Sequence, residues 1–226
     1  MTVLAQDDVV AGPTLSNVAP VALGRRTIDS VLIGIGVLLT IVLAISGGLL
    51  TWGNTFSSDY VHKELASQNI SFPSAEGLTA EGRTDLLSHA GNRLDTGSEA
   101  QAYASYINGH LSKIAGGATF ADLGTPESSA RAAVKAAVTA GQPKADIDAL
   151  QAKADVITNN RNTLFKGETL RGLLLSAYAW STVGTIAGIA ALGAFIAAAI
   201  MAVLVALGLL HLRKTPRSTA VTIATT

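Results

Sequence analysis

The side chains best suited to chemistry in this chain are four histidines, in a sequence with no cysteine at all. Asp59 and His62 stand three apart on a predicted helix, so both can project to one side toward a shared cation. Zinc takes three or four protein ligands. Two are supplied here, so the pair reads as a solvated or partner-facing helix surface. His110 shares a predicted helix face with Tyr103 and Tyr106. These three rings form the candidate ligand or partner face. The plain reading of His110 is a buried, hydrogen-bonded side chain; the sharper one is a pH sensor, since imidazole titrates near neutrality. His89 has no supporting neighbours, and His211 stands beside Arg213 and Lys214 as an anchor at a membrane border.

Other patterns resolve to structure rather than catalysis. Gly116-Gly117 has no strand before it and no Lys-Ser/Thr after it, so it reads as a helix stop and not as a phosphate loop. No Gly-x-Ser-x-Gly elbow occurs, and no Ser–Lys or Ser–His arrangement can be drawn. Without a nucleophile–base pair or a ligand set, the chain reads as non-enzymatic and cofactor-free. Glu168 and Arg171, three apart, read as an ion pair at a membrane border; a contact with lipid headgroups or another subunit is the sharper alternative. Lack of cysteine excludes disulfides and thiolate chemistry. Sixteen basic and sixteen acidic residues balance, with no basic block. Nucleic acid is therefore not an expected partner.

The elements that position these residues are dominated by two apolar runs. Residues 172–210 carry no charged side chain, and 30–52 form a second such run. A spanning helix needs roughly 20 apolar residues, and in lipid every backbone N–H and C=O must be paired inside the segment, so each run reads as a transmembrane helix. Val31–Trp52 is long for a signal-peptide core and no small-x-small site follows it, which predicts an uncleaved anchor. Arg25 and Arg26 precede the first run, and Arg213, Lys214 and Arg217 follow the second. By the positive-inside rule both termini are expected in the cytoplasm. Trp52, Tyr178 and Trp180 fall where an outer aromatic belt belongs. No Asp, Glu, Lys, Arg or His lies inside either apolar run, 30–52 or 172–210, which argues against a transporter or channel. Small residues at Thr40, Ala44 and Gly48, and at Gly184 and Gly188, are the candidate helix-packing positions.

Between the spans, thirteen of the sixteen Asp and Glu fall between positions 59 and 168. The first helix is expected to continue outward to Ser67, broken by Ser71-Phe-Pro73-Ser and Gly77. Leu86 and Leu87 suggest a short helix ending at Gly91. Ser98, with Gln101 in the capping-box position, predicts the start of the ring-bearing helix. Thr125-Pro126-Glu127 predicts another, with Pro in the first position, ending at Gly141. Pro143 opens a last one with Ile147, Leu150, Ala154, Ile157, Arg161 and Leu164 three and four apart; whether it runs through Gly167 and Gly172 into the second span is left open. Strand signals are almost absent. The expectation is an all-α chain: a disordered cytoplasmic tail (1–28), transmembrane helix 1 (29–52), an extracytoplasmic helical bundle (53–175), transmembrane helix 2 with an outer extension (176–212) and a cytoplasmic tail (213–226).

Several phrases carry a resemblance. They are Leu49-Leu-Thr-Trp-Gly53, Asp59-Tyr-Val-His62, Asp95-Thr-Gly97, Ala102-Tyr-Ala104, Gly109-His-Leu111, Ile114-Ala-Gly-Gly117, Phe165-Lys-Gly-Glu-Thr-Leu-Arg-Gly172 and His211-Leu-Arg213 before Thr215-Pro216. Across roughly residues 28–217 the chain resembles an uncharacterised family of two-span membrane proteins of actinobacteria. The resemblance implies architecture and lineage. Members often carry an aromatic ring-opening dioxygenase label. A non-haem iron site of that kind needs a His/carboxylate cluster with open positions, which the spacing of the four histidines does not supply.

Two function classes follow. The first is a plasma-membrane accessory or scaffold protein, presenting its outer domain to a protein or envelope partner, with the lipid bilayer and a membrane-protein partner or homo-oligomer as its contacts. The second is an extracytoplasmic ligand or stress sensor acting through a separate signalling partner, because the tails are too short to fold as output domains.

Overall fold

A computed structural model describes residues 22–214 and 220–222. The tail readings on 1–21, and on 215–219 and 223–226 with Arg217, lie outside the described residues. The chain is helical, with two long apolar helices: α1, Arg25–Ser67, and α5, Lys144–Lys214. Between them come α2, Ala75–Ala80, a 3-10 turn at Thr84–His89, α3, Gly97–Leu111, a second 3-10 turn at Ile114–Gly117, and α4, Gly124–Thr139. Helix α1 begins at Arg25, four residues before the expected boundary, and runs on without a break past 52. Helix α5 answers the open question: it is continuous through Gly167 and Gly172 for 71 residues.

Two compact units divide the chain. The first holds the described residues up to 45 and from 195. Here β1, Ala22–Gly24, pairs antiparallel with β2, Ala220–Thr222, a short ladder the sequence did not signal. The pairing brings the start of α1 and the end of α5, and with them Arg25, Arg26, Arg213 and Lys214, to one end. The helix segments touch where side chains are smallest. A β-carbon on Gly36 would lie 2.7 Å from Val205 Cγ2, and one on Gly208 would lie 3.1 Å from Ile33 Cγ1. Thr40 lies half-buried on this contact line, and its hydroxyl donates back to the Gly36 carbonyl at 2.8 Å.

The second unit, residues 46–194, holds the outer part of α1, α2 to α4, and most of α5. Its main core joins Val61 and Leu65 of α1, Phe72 and Leu94 of the connecting loops, Ala100 and Ala104 of α3, and Leu174 of α5. A smaller cluster of Leu111, Leu123 and Leu164 seats α3 and the start of α4 on α5. The buried positions of α1 in this unit are Gly47, Ser57, Val61 and Leu65. Ser57 donates to the Trp180 carbonyl at 2.6 Å. Gly184 faces Ser57, and Gly188 faces Asn54.

Several local expectations are corrected. Ala44 and Gly48 point away from the contact line, both exposed, with nothing within 4 Å of a β-carbon on Gly48. Four-residue steps rotate by about 40° each on a helix of 3.6 residues per turn, so a 40-44-48 stripe walks off the seam. A seam that stays in contact alternates three and four, as Gly36, Thr40 and Leu43 do. Gly77 lies inside α2, whose N-terminus is capped by Ser74 accepting from the Gly77 N–H. The cap of α3 is Thr96 with Glu99, not Ser98 with Gln101. Helix α4 starts at Gly124 with no side-chain cap, which puts Pro126 at its third position; Pro is accommodated there because first-turn N–H groups lack intrahelical acceptors.

Exposure of the apolar helices is the dominant energetic fact. The most apolar stretches of α1 and α5 have mean hydropathies of 2.6 and 2.7, yet only 6% and 11% of them is buried. Fully burying one Leu, Ile or Val is worth about 1.5–3 kcal/mol, and soluble monomers rarely expose apolar patches beyond a few hundred Å². Both helices are long and apolar enough to cross a membrane.

Candidate partner face on the third helix

Helix α3 is aimed by its N-terminus. The Thr96 hydroxyl accepts the Glu99 N–H at 3.3 Å, and Glu99 Oε2 accepts the N–H groups of Asp95 and Thr96 at 3.1 and 3.0 Å. Burial pushes the Glu99 carboxyl up, but these donors outweigh it and hold it below its ordinary range. Gly97 abuts the Ser181 side chain so closely that no β-carbon fits. Ala100 and Ala104 then turn their small side chains into the core.

This orientation places the three rings in a row. Tyr103 meets Phe72 edge-on at 5.1 Å and Tyr106 at 5.4 Å; Tyr106 meets His110 edge-on at 4.6 Å. The sequence reading brought these residues together on one face, and the fold does too. It missed what bridges them. Glu81, just past α2, accepts the Tyr106 hydroxyl on Oε1 at 3.2 Å, and its Oε2 lies 3.2 Å from His110 Nε2. That Oε2 is shielded from solvent and makes no hydrogen bond. Burial and then Glu81 push the Tyr106 hydroxyl up to about 12, so it stays a proton donor at neutral pH. Burial also pushes the Tyr103 hydroxyl up.

Arg83 straps the same segment to α3. Its Nη1 donates to the Ser105 carbonyl at 2.8 Å and its Nη2 to Ser105 Oγ at 2.9 Å, while Asp85 takes two further guanidinium donors. Gly109 leaves room for this, since a β-carbon there would lie 2.8 Å from Arg83 Nη1. No spacing rule flags Glu81 or Arg83, because their partners on α3 lie more than twenty residues away. The face is therefore bridged by Glu81 but not sealed: Tyr103 and Tyr106 are half-buried and the His110 side chain is 47% exposed, which corrects the expectation of a buried His110. Grooves of about 350 and 430 Å³ elsewhere on this unit include none of the three rings.

A second polar cluster joins α4 to α5. Glu127 receives Arg161 at 2.6 Å, Arg131 at 2.9 Å and the Thr158 hydroxyl at 2.9 Å. Arg161, Thr158 and Arg131, in that order, hold the Glu127 carboxyl down at about 2. The Arg161 guanidinium also lies over the Phe120 ring, 4.1 Å from its centre. The sequence placed Arg161 only as a member of the helix repeat.

The remaining expected positions fall as follows. His62 does not pair with Asp59; its Nδ1 lies 3.2 Å from the Asp95 carbonyl. Among the described residues no three His, Asp or Glu side chains gather as a metal site. Glu168 accepts from Arg171 at 2.8 Å. Ala115 and Gly116 adopt left-handed backbone in the turn after α3. Trp52 and Trp180 are exposed and Tyr178 is half-buried. No protein-family model, curated protein or solved structure matches the chain. The resemblance to two-span actinobacterial proteins thus rests on the quoted motifs.

Proposed function

We propose that this chain is an integral plasma-membrane protein with both termini in the cytoplasm. It presents residues 53–175 outside as a helical accessory or scaffold domain for a protein or envelope partner, without catalysis of its own. The observation that carries the membrane part is the exposure of the two apolar helices: as core helices of a soluble protein they would be mostly buried, and they are 6% and 11% buried. The basic residues gathered at one end support cytoplasmic termini, because Lys and Arg are retained on that side. The contacts of Glu81 to Tyr106 and His110 support a structural role for that row.

The chain contains no cysteine, so single-cysteine labelling tests the topology directly. On intact cells, an impermeant maleimide should modify Ser98→Cys and spare Ser218→Cys until lysis; the reverse pattern overturns the topology. Isolation of the tagged protein in mild detergent tests the accessory role. A stoichiometric partner is expected. A solitary protein would move the reading to the sensor, which draws support from α5 running unbroken from the outer domain through the apolar segment.

A further inference from the structure

Run length and groove position together point to a ligand. The uncharged run of α1, residues 30–58, is about 43 Å long at ~1.5 Å per residue. That matches a bilayer with its headgroups, about 40–45 Å. The uncharged run of α5, residues 172–210, is about 58 Å by the same rise. With its inner end at the inner headgroups, roughly ten residues (172–181) stand above the outer headgroups without a charge. The surplus is not absorbed by the core. Leu174 is buried there, but Leu173 is 64% exposed and Trp180 53%.

These residues wall a groove. It is about 350 Å³, lies between α1 and α5, and is lined by Val61, Leu65, Ile70, Leu173, Ala177 and Trp180 among others. Volumes of about 300 Å³ and above with apolar walls are typical of small-molecule sites. A smaller cavity of about 230 Å³, lined by Phe56, Ser57, Tyr60 and Trp180, continues it along α1. Tyr60 and Trp180 belong to both. The path therefore starts at Phe56, inside the length of α1 that the bilayer covers, and ends at Gln68. Trp52, Phe56 and Tyr60 form an exposed stacked column beside its entrance, with ring centres 5.5 and 6.2 Å apart. Glu64 is the groove's one ionisable carboxylate, at its outer half with Gln68. A charged peptide finds no complementary pair along such a wall. A linear hydrocarbon does.

We propose that this groove binds one acyl chain of an outer-leaflet phospholipid, drawn upward past Phe56 and laid between Tyr60 and Trp180. The proposal rests on the membrane reading above. The chain enters methyl end first, and the groove's apolar wall takes the place of the leaflet for its distal carbons.

The two tryptophans make this measurable. The full-length protein is placed in nanodiscs of phosphatidylcholine whose chains carry bromine near the terminal methyl. Bromine there lies at the bilayer midplane unless a chain has risen. In Trp52→Phe, emission from Trp180 should lose most of its intensity, and Leu173→Glu should restore it. Leu173 is exposed, so that change leaves the core intact; Ser176→Phe, also at an exposed position, blocks the groove sterically and should act alike. Bromine placed near the ester linkage and read from Trp52, in Trp180→Phe, reports bilayer contact at the outer edge. Quenching of Trp52 by ester-proximal bromine with Trp180 untouched by methyl-end bromine leaves the membrane reading standing and overturns the groove. Trp180 quenching that survives both groove variants also overturns it, because the chain would then lie elsewhere. If neither tryptophan responds to either lipid, the membrane reading falls first. Unquenched Trp180 in discs holding only dimers would assign the face to a second copy and likewise overturn the proposal.

Discussion

Two glycines of α5, five residues apart, should respond oppositely to the same substitution. Replacing an exposed helical Gly by Ala gains about 1 kcal/mol from propensity alone. A β-carbon on Gly172 would have nothing within 4 Å, so Gly172→Ala should deliver that gain. Gly167 faces Leu111, whose Cδ1 and Cγ would lie 3.0 and 3.1 Å from the new carbon, with Cδ2 closer still. Leu111 cannot swing aside freely, since it is packed with Leu123 and Leu164. Forcing extra atoms into such a site costs about 1–3 kcal/mol, which cancels or reverses the gain. The two variants should differ by that overpacking cost, about 1–3 kcal/mol, with Gly172→Ala the more stable. At roughly 2–4 °C per kcal/mol for a chain of this size, thermal unfolding followed by far-UV circular dichroism in one detergent resolves that difference. Because contacting residues couple, Gly167→Ala should be less harmful in a Leu111→Ala background. Equal stabilisation by both substitutions would refute the packing of α3 against α5 at this level.

Three further outcomes follow from the same contacts. Thr96→Ala should lower stability by about 1 kcal/mol, the usual worth of an N-cap, while Ser98→Ala, exposed and off the cap, should stay within about 0.5 kcal/mol; urea midpoints of the two variants decide between the caps. Glu127 is held at about 2 against an ordinary 4.5, so the unfolded chain binds more protons between those values and the stability it confers rises with pH there. That contribution is complete above about 4.5 and disappears as pH falls through about 2; hydrogen-exchange protection of α4 should show this dependence, and Glu127→Gln should flatten it. Gly184→Leu should weaken the α1–α5 contact by about 1–3 kcal/mol through overpacking, because a β-carbon there already lies 2.9 Å from Ser57 Cβ. Gly193→Leu, with open space around it, should not; detergent-induced unfolding compares them.

What the sequence disclosed depended on range. Periodicity located the long helices, and Gly141, in left-handed backbone at φ 63°, ends α4 where its lack of a β-carbon suggested. The ring row on α3 was legible because Tyr103, Tyr106 and His110 share one helix, where spacing fixes direction. Their link to Glu81 was not, since Glu81 reaches Tyr106 across twenty-five residues and no local rule connects them. The capping error was a two-residue one: Ser98 and Thr96 both precede a plausible partner at the third position, and the choice fell to Thr96 because Gly97 must approach Ser181 as the first residue of the helix. Small residues are common along α1, so composition offered several stripes; within this chain the spacing of the contact with α5 takes Gly36 and Thr40 and leaves Ala44 and Gly48 exposed.

The seam of α5 also changes character along its length, and the change bears on where lipid begins. Its inward positions include Ile147, Leu150, Ile157, Leu164 and Leu174; beyond them come Ser181, Gly184, Ala187, Gly188 and Ala191. The spacing of threes and fours continues through both stretches, so one geometry serves two solvents. In water, large aliphatic side chains hold helices together because burial removes them from solvent. Lipid gives no such return, and close approach through small residues takes over. On the membrane reading proposed above, the stretch between Leu174 and Ser181 is where an aqueous seam gives way to a lipid one. Run length puts the outer headgroup limit at the same place, from charge alone and without reference to packing. The two criteria are independent: one counts charges on every side of the helix, the other reads side-chain size on the inward side. On that reading, the segment just above, where Leu174 is buried but Leu173 and Trp180 are exposed, is where the proposed acyl chain covers apolar surface that the core leaves open.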